Sequence, residues 1–321
     1  MIRKLLRPTV FAVALSMMSA GMASAEIRGL EILVPAAPGS GADQTARAMS
    51  EALQQDDLAS RIQITNIPGA GGTIGLAQFV TSKKGKGNAV MVTFYVMIGA
   101  IAANKPPVTL DDVTPLARLS GEYEVIVVSA NSPIRSMSDL VEKFKADPQS
   151  VSWGGGGVAG VDHILAGKIA KAVGVDPRKV NYIAHAGGGE ALSSILGGHV
   201  TVGISGWQEF AGQVKAGQLR LIGVSAPERV EGIDGPTLKE QGVDVVLPTW
   251  RGLVAPADIK GKDLEALSAA VDKMVKSDAW QKVLKERGWL DLYMPRAEFK
   301  PFLDDQRTEV SAILKDLGLA E

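Results

Sequence analysis

Four times along this chain a short apolar segment runs into a glycine-rich turn and then into a helical pattern. The turns are Gly39-Ser40-Gly41, Gly69-Ala70-Gly71-Gly72, Gly154-Gly155-Gly156-Gly157 and Gly187-Gly188-Gly189. Before the first lies Ile32-Leu33-Val34, and after it a helical pattern continues through Leu53. A strand that turns straight into a helix leaves the helix's first N–H groups unpaired and aimed beyond the strand end. Glycine there lets backbone approach a ligand closely. In open α/β sheets such turns collect at the carboxyl ends of the strands, where the ligand crevice lies. The pattern therefore predicts βα units, a mainly parallel sheet and an anion site built largely from backbone.

Alternation and continuous apolar runs predict further strands over 61–67, 89–94, 116–119, 125–128, 151–153, 180–183, 200–204, 219–224 and 253–255. Helical patterns fall between them, for example over 136–145, 161–173, 190–196 and 208–215. One run of βα turns lies before Ala100 and another after Trp153, which suggests two lobes. Amphipathic helices over 264–276, 279–287 and 296–317 are expected to pack on the outside of a lobe.

The chain opens with Arg3, Lys4 and Arg7, then an apolar run from Thr9 to Met22, then Ala23-Ser24-Ala25. A basic start, an apolar stretch short for a membrane span and an A-x-A end describe a secretory signal peptide over residues 1–25. Cleavage there removes 25 of 321 residues and three of the 34 lysines and arginines, leaving 31 basic against 35 acidic side chains. That balance offers no basic field for nucleic acid or anionic lipid. An exported chain without cysteine has no disulfide framework and no thiolate metal site. No later segment approaches the length needed to cross a bilayer, so the mature protein is not expected to be membrane-embedded.

Several chemistries fail on spacing. A dinucleotide fingerprint starting at Gly39 needs glycine where Gln44 stands, and one starting at Gly69 meets Ile74. No acid ends the segment 89–94 to hold a ribose, and no Gly-Lys-Ser/Thr is present. Ser205 sits in Gly203-Ile204-Ser205-Gly206-Trp207, with tryptophan where a nucleophile elbow needs glycine. His163, His185 and His199 show no metal-ligand spacing, so neither cofactor nor metal is expected. Asp43 and Asp162 fall in first helical turns, where a carboxylate caps N–H groups and offsets the helix dipole. His163 sits beside Asp162, placed either to touch a ligand or to pack. Two roles are open to Arg251: a fork to a ligand carboxylate, or an interlobe salt bridge to an acid such as Glu209. Trp207 and Trp250 are candidates for cleft walls or for core.

Taken in order, these segments resemble a known family. They include Val34-Pro35-Ala36-Ala37-Pro38-Gly39-Ser40-Gly41-Ala42-Asp43, Asn66-Ile67-Pro68-Gly69-Ala70-Gly71-Gly72, Gly187-Gly188-Gly189-Glu190, Leu196-Gly197-Gly198-His199 and Leu253-Val254-Ala255-Pro256. The chain resembles the periplasmic solute-binding receptors of tripartite tricarboxylate transporters, the TctC or Bordetella uptake gene family, over its whole mature length. The resemblance implies a two-lobed periplasmic binding protein fold (type II-like), each lobe a mixed, mainly parallel sheet flanked by helices. Residues 26–124 with 251–321 would form lobe 1 and 125–250 lobe 2, with the ligand cleft between them.

It also implies a monomeric receptor, not an enzyme, that delivers a small organic di- or tricarboxylate to the transporter's membrane subunits. Lobe 1 would contribute Pro38, Gly39, Ser40, Gly41, Ala70, Gly71, Gly72, Thr93 and Tyr95 to the site, with Arg251 beside them. Lobe 2 would contribute Gly156, Gly157, His163, His185 and Ser205. Many members carry aspartate where this chain has Ser205, and its loss argues against amine-bearing ligands. Phe94, Tyr95 and Met97 replace a small hydroxyl-rich turn, which opens the pocket to an aromatic or longer dicarboxylate. The alternative reading is an exported hydrolase or isomerase using His163 or His185 with Asp162.

Overall fold

The computed structural model describes residues 26–185 and 188–320; the expected signal peptide lies outside them. The N-terminal part comprises β1 (Ile27–Arg28), β2 (Glu31–Val34), α1 (Gly41–Gln55), β3 (Ala59–Ser60), β4 (Gln63–Asn66), α2 (Thr73–Lys83), β5 (Ala89–Phe94) and α3 (Tyr95–Asn104). Strand β6 (Thr114–Ser129) leads to α4 (Met137–Ala146), β7 (Ser152–Gly155), α5 (Val161–Ala172), β8 (Asn181–Ala184) and α6 (Gly188–Leu196). Then come β9 (Val202–Gly206), α7 (Trp207–Lys215), β10 (Leu219–Val224) and β11 (Pro248–Ala255). The chain closes with α8 (Gly261–Val275), α9 (Asp278–Arg287), β12 (Leu290–Pro295) and α10 (Arg296–Asp316).

The expected α/β architecture is present as one mixed sheet in the order β4-β2-β5-β11-β6-β9-β7-β8, with β10 and β12 also on β6. Its outer parts are parallel, β2 with β4 and β5, and β7 with β8 and β9. The centre is antiparallel. Where the sequence suggests two strands over 116–119 and 125–128, the chain makes a single strand of 16 residues. The polar stretch Ser120-Gly121-Glu122-Tyr123 stays extended because each of its residues pairs with β11, from Pro248 opposite Tyr123 to Arg251 opposite Ser120. The first half of β6 thus lies between β11 and β12, and the second half between β9 and β10. At roughly 3.3 Å per residue, such a strand spans about 50 Å and serves both lobes.

Burial follows the strand period. Val125 and Val127 enter a core with Ile195, Phe210 and Leu219, while Ile126 and Val128 face one with Met137, Trp153 and Ile164. The latter core continues through Tyr95, Met97 and Phe299, so side chains from both ends of the sheet share it. Helix α10 reinforces this: Lys168 and Lys171 of α5 pair with Glu309 and Asp316, the second at 2.5 Å. Helix α4 starts on a capping box, with Ser136 and Asp139 each accepting the other's backbone N–H. Among the described residues no helix is long and apolar enough to cross a membrane.

Gly121 is where β6 parts from β12, three residues before its pairing with β9 begins at Glu124. A Cβ there would meet the Thr249 carbonyl and Leu292 Cδ1. We expect Gly121→Ala to cost about 1–3 kcal/mol by overpacking, read as a lower urea midpoint at unchanged m-value. Leu292→Ala in the same chain should return part of that loss.

Candidate functional site

The first glycine turn is braced from within. Ser40 caps α1, its Oγ accepting the Asp43 N–H at 3.3 Å. Asp43, 2% exposed, accepts the Gly39 N–H at 2.8 Å, Arg47 Nε at 2.9 Å and Asn66 Nδ2 at 3.0 Å. Burial alone would raise its pKa, but these donors, Arg47 foremost, hold the carboxyl below its usual range. Asp43 is therefore the keystone of the turn, and Gly39's N–H is already spent on it.

Beyond this turn lies a groove of about 330 Å³ lined by Gly39, Ser40, Gly41, Glu122, Gln208, Glu209, Arg251 and Trp289. Arg251 lies within β11, opposite Ser120 and Phe94, rather than ahead of a strand. Its guanidinium lies over Gly41, where a Cβ would collide with it, and 5.6 Å from the centre of the Trp289 ring. Its Nη2 pairs with Glu122, not with Glu209, and its buried Nη1 has no hydrogen-bond partner. Glu122 in turn abuts Gly206, whose absent side chain makes room for the carboxylate. Ser205 Oγ donates to Glu209 Oε2 at 2.8 Å, one helical turn further on. At the groove mouth, Gln208 donates to the Arg287 carbonyl at 2.8 Å, and Arg287 Nη1 to Gln44 Oε1 at 2.7 Å.

A second polar cluster starts from Glu124, two residues after Glu122 and on the same face of β6. Glu124 is 2% exposed and its Oε2 has no donor. Burial, then the charges of Asp162, Glu122 and Glu209, push its pKa well up. Asp162, at the start of α5, accepts the Gly156 N–H at 2.6 Å. Burial is the largest influence on it too; opposed by Gly156 and reinforced by Glu209, it is pushed up to about 7. Burial and acidic neighbours thus push both carboxyls towards their neutral forms. Tyr182 donates to the Gly156 carbonyl at 2.8 Å and stacks on His163 at 4.0 Å. His163 Nδ1 receives the Ala159 N–H at 3.4 Å, and burial lowers its pKa to about 4, so the ring is neutral.

The residues singled out from sequence fall into distinct places. Gly39, Ser40, Gly41 and Arg251 line the groove, and Ser205 reaches it through Glu209. Gly156 and His163 gather around Asp162, and His185 Nδ1 lies 3.1 Å from the Gly155 carbonyl. Pro38 and Gly157 are exposed. Ala70, Gly71 and Gly72 form a single helical turn against α3, with Ala100 under Gly71 and Met97 over Gly72. Thr93 and Tyr95 are not brought to the groove. They are fully buried, Thr93 on Met97 Sδ and Tyr95 in the shared core with its hydroxyl unpartnered. Met97 is buried with them, so it packs the core rather than a pocket. Trp250 packs edge-on against Phe299 and Phe302, and Trp207 joins the core under α7.

Glu122 and Glu124 were not expected at the site. Two acids at alternate positions leading straight into the apolar run 125–128 are the signal for them, since charged side chains are rarely buried in a strand without a purpose. Among the described residues no cluster of acids and histidines is arranged to hold a metal.

The proton balance sets a pH dependence. Asp162 and Glu124 bind protons more tightly folded than unfolded, so the stability they confer is complete at low pH and lost as pH rises towards about 7. His163 has the opposite sign, its contribution growing as pH rises from about 4 to its ordinary 6.5. We expect stability to fall between about pH 5 and 7. The fall should be shallower in Asp162→Asn and steeper in His163→Gln, followed by thermal midpoint across a buffer series. Superimposable profiles for the three proteins would remove both groups from the linkage.

Comparison with known proteins places this geometry in a family. The family described as "Tripartite tricarboxylate transporter family receptor" (TctC) matches residues 44–319. A ligand-free TctC solute-binding protein from Polaromonas superposes with a TM-score of 0.73 at 26% identity, covering 90% of this chain and 99% of that one. MatC from Rhodopseudomonas palustris, solved with malate, gives 0.74 at 21% identity over 90% and 99% of the two chains. Another R. palustris protein, solved with adipate, gives 0.77 at 20% identity over 91% and 98%. This chain belongs to the TctC family of solute-binding receptors.

Proposed function

We propose that this receptor works in the periplasm, captures a small organic carboxylate by lobe closure and delivers it to the membrane subunits of a tripartite tricarboxylate transporter. The observation that carries the carboxylate is the groove beside the start of α1, where Arg251 presents a buried Nη1 without a partner. A buried guanidinium nitrogen left unpaired is costly, and a carboxylate oxygen is the acceptor its fork geometry favours. The malate and adipate held by fold neighbours are ligands of that chemistry.

The lobes are taken as residues 26–124 with 251–321 and residues 125–250, joined through β6 and β11. Contacts between them support closure: the Ala159 carbonyl packs where a Cβ on Gly99 would stand, and Gln208 reaches the Arg287 carbonyl. A ligand shifts such a hinge only by its differential affinity for the closed form. Moving it from mostly open to mostly closed takes roughly 5.5 kcal/mol. Charge-assisted hydrogen bonds at about 1.5–3 kcal/mol each are of the right size. For the exported-enzyme alternative, His163 Nδ1 and Asp162 each accept a backbone N–H, from Ala159 and Gly156, instead of bonding to one another.

The test is a thermal-shift screen against malate, adipate, citrate and their amino-substituted relatives. A true ligand at 100 times its Kd adds about 2.7 kcal/mol. A screen without any shift, together with turnover of one of these acids, would sink the receptor reading. Gly41→Ala probes the site itself. Alanine suits the first helical position, so the midpoint should move by less than about 4 °C. Displacing the Arg251 guanidinium should weaken carboxylate binding on the order of tenfold, about 1.4 kcal/mol, by calorimetry.

A further inference from the structure

We propose that Glu122 is a specificity-determining residue of this groove: it stands in for a second ligand carboxylate at Arg251, so the receptor selects an acid with one carboxylate and an uncharged far end. The inference rests on the carboxylate-receptor reading and narrows the ligand within it.

The backbone beneath Glu122 and Arg251 holds them together. Arg251 of β11 lies opposite Ser120 of β6, and Glu122 follows two residues along β6, opposite Thr249. The two side chains therefore rise from one face of the sheet as diagonal neighbours, a separation long side chains bridge. Each head also has a space of its own, the guanidinium over Gly41 and the carboxylate against Gly206. The paired side chains are only 12% and 13% exposed, so salt and water screen them little. Glu122 is thus a fixed part of the site and not a surface charge that swings aside.

This pair decides what a ligand meets. Glu122 takes Nη2 of Arg251 and leaves the buried Nη1 without a partner. A ligand carboxylate can use Nη1, but the charge of the guanidinium is already matched by Glu122. A second carboxylate needs another cation. Among the residues lining the groove that is Arg287, and its side chain is engaged at the mouth, over Trp289 and donating to Gln44. The other charged side chains of the lining, Glu209 and Glu286, are acids. A second carboxylate in the groove would therefore be desolvated beside Glu122 without a counter-ion, which is costly. An amide or hydroxyl at the same place carries no charge and finds carboxyl oxygens to donate to. Selection here is by repulsion of the wrong ligand as much as by attraction of the right one.

The experiment is calorimetry on isosteric pairs in which one carboxylate becomes a neutral amide: succinamate against succinate, glutaramate against glutarate, and adipamate against adipate. We expect the amide acid of at least one pair to bind the wild-type receptor about tenfold tighter than its diacid, or more. Glu122→Gln keeps the length and an oxygen for Arg251 Nη2 but removes the charge. It should raise diacid affinity about tenfold and move amide-acid affinity by less than about threefold. Glu122→Asp, which keeps the charge, should retain the wild-type order. Diacids binding the wild type as tightly as their amides would overturn the inference without recourse to any variant, and leave the carboxylate receptor standing. So would equal losses for both members in Glu122→Gln, the mark of a merely structural ion pair, or a preference that Glu122→Gln leaves untouched. Failure of every acid to bind would overturn both readings.

Discussion

One strand has to be the centre of two sheet regions at once. Strand β6 gives its first half to β11 and β12 and its second half to β9 and β10, so no turn can interrupt it. The residues at the changeover are committed to backbone pairing, and their side chains must point either into a core or into the space between the lobes. Gly121 satisfies the crowded position, where Thr249 and Leu292 close in. Glu122 and Glu124 take the other option. The polar centre of the cleft is thus carried by the most constrained backbone in the molecule, the kind of rigid element that holds a binding group precisely enough to discriminate among ligands.

Carboxylates of one kind behave oppositely at the two ends of this cleft. Asp43 is as buried as Glu124, each at 2% exposure, yet Asp43 is held ionised while Glu124 is driven towards its neutral form. The difference lies in donors. Asp43 has Arg47, Asn66 and the Gly39 N–H within hydrogen-bond reach, whereas Glu124 Oε2 has none and faces three other acids. Burial disfavours the charge at both, most strongly at Glu124, and at Asp43 the N–H groups outweigh it. The same logic makes the first turn a stiff structural unit and the β6 cluster the place where a proton changes the balance.

Much of the fold was legible because it is written in short-range signals. The run 89–94 and the run 219–224 became β5 and β10 with those boundaries, and Ser136 and Asp139 announced the start of α4. What failed was anything decided by distant partners. Ser120 to Tyr123 carry the composition of a turn, and only pairing with Pro248 to Arg251 keeps them extended. Helix α3 follows β5 without a loop, and β12 is held by β6 rather than by its own propensity. At the site, Gly39, Ser40 and Gly41 could be placed at a groove from their spacing alone. Thr93 and Tyr95 could not, because a strand that ends in a buried helix start sends its last side chains into the core.

The glycines invite a different account from the one their pattern first suggests. Glycine-rich turns after strands point to backbone wrapped around an anion, yet three glycines about this cleft leave space for polar side-chain heads. At Gly41 a Cβ would strike the Arg251 guanidinium, at Gly155 the Tyr182 hydroxyl and Asp162, and at Gly206 the Glu122 carboxylate. Those heads arrive from residues far away in sequence, so the turn and its occupant can be matched only in three dimensions. The Gly39 N–H, the natural candidate for a ligand contact, is consumed by Asp43. Recognition in this cleft therefore falls to side-chain charges seated in glycine-made spaces, with backbone amides as their brace. A receptor built this way can change its ligand by moving one charged side chain while its turns stay as they are.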